Sequence, residues 1–404
     1  MDSSKPPRVL VASDSFKGSA SSARVNDLIE QGLRRACPDV RVRKVLVADG
    51  GEGTVEAVVS ARGGTIRHVV VPGPLGGSVD AALGLFDGGR SAVVEMASAA
   101  GITLSDRSRE SALAASTRGV GELVLDAIDH GARRVYVGLG GSATTDGGAG
   151  FASALGARLL DDAGAQVTPG AAGLERLARV DLSGLDARLA GAEVVGLTDV
   201  TNPLAGPTGA AATFGPQKGL TAADLPAVDA WLGRLGRLLG GAVGADVASL
   251  PGAGAAGGLG CALAALCGAR LTSGIDFVLD GAGLDEALAD ADLAITGEGR
   301  MDAQSARGKA PVGIARRCAR AGVPVIAVVG SRAEDLGDVY SQGIDLVVPA
   351  LVAPATLEEC VARVARNVPV AAETAMRAFL LGRKAGAGSP VAQGSPTAPT
   401  PRRG

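Results

Sequence analysis

Aromatic side chains are nearly missing from this sequence: one Trp, two Tyr and six Phe in 404 residues. Base-stacking platforms for nucleic acid need more than that. Histidine is scarcer still, with only His68 and His130, both in structural contexts. The five cysteines (Cys37, Cys261, Cys267, Cys318, Cys360) are scattered and form no CxxC pair. A zinc site or a His-dependent triad is therefore not expected. The cysteines read as small buried hydrophobes of a reducing compartment. Nothing matches the G-x4-G-K-[ST] phosphate loop. Residues 1–8 show no apolar signal segment, which predicts a cytoplasmic protein. The longest uncharged run, Val247 to Ala269, holds Pro251 and six glycines, so it reads as loop and helix rather than a membrane span. A net charge of −3 without a basic stripe argues against nucleic acid or an anionic membrane as partner.

What the chain has in excess is glycine, 61 residues, about twice the usual share of about 7%. Many of these lie in short loops with carboxylates, each following an apolar run. Val9–Ala12, Val40–Val47 and Ile66–Val71 read as strands, and 21–36 and 54–61 as helices between them, with Ser21 or Ser22 as N-cap. This is a βαβαβ rhythm, the mark of a parallel sheet covered by helices. It returns near the C-terminus, with strands at 293–295, 324–329 and 345–348 and helices at 311–320 and 357–381. The middle is less regular, with helices expected near 117–130, 149–159 and 222–240. The expected fold class is α/β: a Rossmann/flavodoxin-like parallel-sheet domain, 1–78 plus 285–382, interrupted by an inserted α/β domain at 79–284. The Gly/Pro/Ser/Thr/Ala stretch 383–404 reads as a disordered tail.

Ligands in open α/β sheets bind beyond the carboxyl ends of strands, so the loops there are the candidates. Asp14, Ser15 and Lys17 follow the first strand and suit an anionic ligand. Asp49, Gly50, Gly51, Glu52 and Gly53 follow the second; their glycines let backbone amides approach a ligand and their acids suit Mg²⁺ or a hydroxyl. Gly138 to Gly148 contains G-x-G-x-x-A, the relaxed dinucleotide fingerprint. Its Gly140, Gly141, Ser142, Thr144 and Asp146 fit a phosphate and metal loop better, because an acid stands where a pyrophosphate wants amides. Gly252–Gly258 is a strict G-x-G-x-x-G with no strand before it; Gly254 and Gly257 there serve either close packing or a phosphate. Glu298, Arg300 and Asp302 alternate after an apolar strand, and Lys309 opens the next helix. Asp199 and Asn202 follow the strand at 193–197, and Gln217 and Lys218 come shortly after. Only six lysines stand against 33 arginines, yet Lys17, Lys218 and Lys309 each adjoin a loop glycine. Lys offers phosphate a compact charge that Arg does not copy. This inventory meets the needs of phosphoryl transfer, which is mostly positioning and charge stabilisation.

Eight stretches resemble the motifs of the class I glycerate kinases, in the family's order: Asp14–Lys17, Ala48–Thr54, Gly140–Thr144, Asp146–Gly150, Thr198–Pro203, Phe214–Gly219, Pro251–Gly258 and Ile295–Arg300. The match runs from about residue 8 to 380. One departure is Thr145, where the pattern leads one to expect Asn. The resemblance implies a cleft between two α/β domains, ATP and Mg²⁺, and D-glycerate as acceptor, with 2-phosphoglycerate as product. On that basis Asp199 or Asp49 is expected to accept the hydroxyl proton and Glu298 and Asp302 to hold Mg²⁺. Lys17 and Lys218 would clamp phosphates, and Arg300 would pair with the substrate carboxylate. A 3-kinase, a NAD(P)-dependent oxidoreductase of small hydroxy acids and a non-catalytic sensor stand as alternatives. Oligomeric state is left open, a homodimer included.

Overall fold

The computed structural model describes residues 5–48, 50–303, 305–307 and 310–388. Two sheets organise it. Their strands, in chain order, are β1 (Arg8–Val11), β2 (Arg41–Lys44), β3 (Gly64–Pro72), β4 (Ser78–Phe86), β5 (Ser91–Glu95), β6 (Arg134–Gly138), β7 (Glu193–Leu197), β8 (Arg270–Thr272), β9 (Leu293–Thr296), β10 (Val325–Val329) and β11 (Leu346–Pro349). The first sheet runs β11-β10-β9-β1-β2, parallel throughout. The second runs β8-β7-β6-β5-β4-β3, parallel from β8 to β5 and antiparallel at the β3–β4 end. The fold is thus α/β with parallel sheets, as expected.

Strand β1 shows why an unbroken apolar run is needed at the centre. Alternate side chains point to opposite faces, and both faces are covered. Val9 and Val11 join a core with Val25, Leu28, Ile29 and Leu33 of the helix Ser22–Ala36. Leu10 joins another with Ile314, Ala315 and Cys318 of the helix Ala310–Ala321. The helix Ser22–Ala36 is capped by Ser21, whose hydroxyl accepts from the Arg24 amide. Its apolar spacing of three and four residues gives one buried stripe.

Strand Ile66–Val71 does not extend the first sheet. It lies in β3, an edge strand of the second sheet, because a tight turn closed by Gly73 N to Gly77 O (2.6 Å) folds it onto β4. The boundary expected near 78 therefore falls inside a hairpin. The chain has already crossed: the helix Thr54–Arg62 shares an apolar cluster with Phe86, Val93 and Tyr136 of the second sheet. The return also comes early. Ile275 and Leu279, ahead of the expected boundary at 285, pack with Ile314 beside the first sheet. The two crossings meet, since Ala48 and Val55 share their cluster with Val278. The Arg62 guanidinium lies 5.0 Å from the Phe277 ring centre. The helix expected at 149–159 stops at Ala154, where Gly156 takes φ +94°. The expected 383–404 tail begins inside a helix, Val364–Gly388, and residues 389–404 lie outside the described residues.

Candidate active site

The carboxyl edge of the second sheet is level: Glu95, Gly138 and Leu197 are partners across β5, β6 and β7. On this edge sits the turn containing Gly50, Gly51, Glu52 and Gly53. Gly140 N donates to Gly50 O at 2.9 Å. A Cβ on Gly138 would stand 2.5 Å from Gly50 O, and one on Gly140 2.7 Å from Gly51 Cα. These glycines are required by close approach of two backbones. Asp49 lies outside the described residues.

That contact removes the dinucleotide reading. In the stretch 138–143, Leu139 N donates to Leu197 O, Gly140 N to Gly50 O and Ala143 N to Ala100 O. Those three amides are engaged by protein, where a pyrophosphate would need them. The following helix begins only at Ala149, too far along to present its N-terminus to the fingerprint.

Asp146 is not a ligand-facing acid. It is fully buried and accepts from Thr117 N (2.9 Å), Thr117 Oγ1 (2.9 Å), Gly148 N (3.1 Å) and Gly150 N (3.1 Å). Burial raises its carboxyl above the ordinary range, and these donors pull the other way. Its chemistry is to fix the loop and the start of the helix Ala149–Ala154. Lys218 is buried with it. Its Nζ donates to Ser142 Oγ (2.8 Å) and Thr144 O (2.6 Å). Burial lowers Lys218 to about 7, with the negative charge of Asp146 opposing. Gln217, next to it, is exposed. Gly141 takes φ +74° at the head of this loop. The Thr145 side chain is fully buried, and its hydroxyl has no partner among the described residues.

Of the two options open for Gly252–Gly258, packing is what the geometry realises. A Cβ on Gly254 would stand 2.3 Å from Pro203 O, and one on Gly257 2.0 Å from Thr144 O. Gly254 N donates to Asn202 O, and Gly147 N to Gly257 O. Asn202 uses its own amide on Thr208 O (2.7 Å). These residues brace the loop at 142–147 from behind.

The first sheet brings two further loops together. Asp14 N donates to Gly297 O (2.9 Å), and Asp14 Oδ1 accepts from Ser15 N (2.7 Å). Asp14 and Glu298 are buried, whereas Lys17 and Arg300 are exposed. Arg300 Nε lies 3.8 Å from Asp302 Oδ2. Lys309 lies outside the described residues. Among the described residues no group of three or more His, Cys, Asp or Glu gathers to hold a metal.

Between the two sheets opens a cleft of about 910 Å³. Asp199 lines one wall, where its carboxylate accepts from Ser273 Oγ (2.8 Å) and Ile275 N (3.1 Å). Arg316, Arg317 and Arg320 of the helix Ala310–Ala321 line the opposite wall. Arg317 is itself held by Asp276 (2.8 Å), Asp280 (2.6 Å) and Asp285 (3.4 Å). The sequence reading missed this basic wall, although three arginines within five residues of one helix were a visible signal. It also missed Glu95, a buried carboxylate beneath the Gly50–Gly53 turn whose Oε1 accepts from Val55 N (2.6 Å).

Comparison with known proteins meets this geometry. The model of the glycerate kinase family matches residues 9–380. A glycerate kinase of Bacillus subtilis is 43% identical over 93% of this chain and 100% of its own. A glycerate 2-kinase of Escherichia coli is 43% identical over 92% and 99%. A crystal structure from Salmonella typhimurium LT2, described as a glycerate kinase 2, superposes with a TM-score of 0.77 at 44% identity, covering 94% of this chain and all of that one. Such identity along the whole length marks a phosphotransferase acting on an alcohol group: the chain belongs to the glycerate kinase family.

Proposed function

We propose that this protein transfers the γ-phosphoryl group of ATP to the 2-hydroxyl of D-glycerate, giving 2-phosphoglycerate and ADP. The observation that carries this reading is the end-to-end match to the E. coli relative named glycerate 2-kinase. The cleft supports it, because about 910 Å³ lies within the usual range for a small-molecule site. Asp199 acts as the general base, since a carboxylate held by two donors on the cleft wall is oriented to accept a hydroxyl proton. Asp49 is the other candidate for that role. Lys17 meets phosphate oxygens and Arg300 the substrate carboxylate.

Mg²⁺ fits the acids present. It prefers hard oxygen donors and is commonly held by one or two carboxylates plus substrate phosphates. Glu298 and Asp302 on one loop would hold it. When bound, it neutralises charge on the phosphates. No helix among the described residues is long and apolar enough to cross a membrane, and a cytoplasmic site of action agrees with the absence of paired cysteines in the sequence.

The test is purified protein with D-glycerate and MgATP, coupled to enolase without a mutase. Absorbance from the enolase product is expected. ADP release without that signal would point to the 3-hydroxyl, and no ADP release would overturn the kinase reading.

A further inference from the structure

The turn that carries Gly50, Gly51 and Glu52 is followed by the helix Thr54–Arg62, whose N-terminus has a peculiarity. Its N-cap is Gly53 at φ +90°, which offers no side chain to the first amides. The first turn of any helix leaves such amides without intrahelical partners, and a Ser or Asp cap is the usual remedy. A side chain at 53 would be strained by that backbone angle. The remedy here comes from 40 residues away. Glu95, the last residue of β5, is 5% exposed and accepts from Val55 N at 2.6 Å. The Gly53 amide lies near enough to favour its charged form as well.

Burying a carboxylate is costly unless it is well hydrogen-bonded. Burial pushes Glu95 up to about 8; the negative charges of Glu56 and Glu52 add to the rise, and the two amides lower it. The helix N-terminus is a favourable place for such a group. Structural capping alone could use any surface residue. This cap instead ties the turn to the same sheet edge that Gly138 and Leu197 form. Gly50 O accepts from Gly140 N on that edge, and a Cβ on Gly50 would meet Leu197 O at 3.0 Å. The turn is thus clamped at both ends, by Gly140 before it and by Glu95 after it.

We infer that Glu95 is a positioning residue for phosphoryl transfer: it fixes the Gly50–Thr54 turn in one arrangement on the carboxyl edge of the second sheet. The inference rests on the kinase reading for its kinetic consequences. It requires an acceptor at the end of β5 and does not require a negative charge.

Three variants of the full chain test it: Glu95→Gln, which keeps an acceptor oxygen; Glu95→Asp, which draws the acceptor back by one methylene; and Glu95→Ala, which removes it. Expected for Glu95→Ala is a kcat loss of at least tenfold with KM for ATP and glycerate changed less than threefold. Glu95→Gln should restore kcat to within threefold of the parent, with Glu95→Asp between. Hydrogen exchange at the Val55 amide is read in parallel. Protection should be kept in Glu95→Gln and fall at least tenfold in Glu95→Asp, whether or not Glu95→Ala folds. Parent-like kcat in a folded Glu95→Ala would overturn the inference. So would an equal kcat loss in Glu95→Gln and Glu95→Ala, or unchanged Val55 protection in Glu95→Asp. If the parent protein itself shows no turnover, the kinase reading has failed, and Val55 exchange still decides the role of Glu95.

Discussion

Lys218 Nζ lies 2.6 Å from the carbonyl oxygen of Thr144, inside a loop whose composition suggests phosphate binding. A lysine so placed organises protein backbone. Replacing it by Met is expected to destabilise the fold by about 2 kcal/mol, the scale of a lost charged hydrogen bond, seen as a lower denaturation midpoint. Lys218→Arg should not rescue it, since a planar fork does not fit a buried point-charge site. An unchanged midpoint with a tenfold rise in KM for ATP would instead support direct phosphate contact.

Glu95 and Lys218 give stability opposite pH dependences. Glu95 titrates at about 8 in the folded protein against an ordinary 4.5. The folded state therefore holds the proton longer, and stability falls as pH rises from 4.5 to about 8. Lys218 titrates at about 7 against an ordinary 10.5, so its contribution rises with pH across that window. Urea unfolding of Glu95→Gln between pH 5 and 8 is expected to show a shallower decline than the parent, by at most about 1.4 kcal/mol per pH unit. Parallel curves would contradict the burial of an ionisable group at 95.

Gly257 and Gly164 separate strain from collision. Both have positive φ, +66° and +79°, but a Cβ at 164 meets nothing within 4 Å, whereas at 257 it meets Thr144 O at 2.0 Å. Gly164→Ala should cost about 1–2 kcal/mol, the left-handed penalty alone. Gly257→Ala should cost at least twice as much and depress kcat by displacing the loop at 142–146. Equal losses at both positions would remove the bracing role given to Gly257.

Asp199→Asn is expected to lower kcat by about 10²–10⁴-fold, the range for removing a general base, with stability nearly unchanged. Ser273→Ala, which removes a donor to Asp199, should have a smaller effect of the same kind. A variant Asp199→Asn that keeps its kcat would shift the base role away from residue 199.

The first sheet was readable because β1, β9 and β10 are buried on both faces and leave continuous apolar runs. The loops were readable because glycines and acids cluster after those runs. Their division of labour was not. Asp146 and Lys218 look like ligand residues by type and spacing, and only the packing of Thr117 and Ser142 around them shows that they serve the loop. Glu95 ends an ordinary strand, and its partner at Val55 becomes visible only when the helix is docked. Strand β3 was misplaced because pairing with the next strand competes with pairing across a crossover, and a short turn wins that competition.

Residues 54–272 leave the first sheet and return to it at one seam, where Ala48, Val55 and Val278 share a cluster. A segment whose two ends emerge side by side behaves as a cassette: it leaves the strand order of the host sheet uninterrupted. That is how β9, which follows the segment in the chain, still pairs directly with β1, which precedes it.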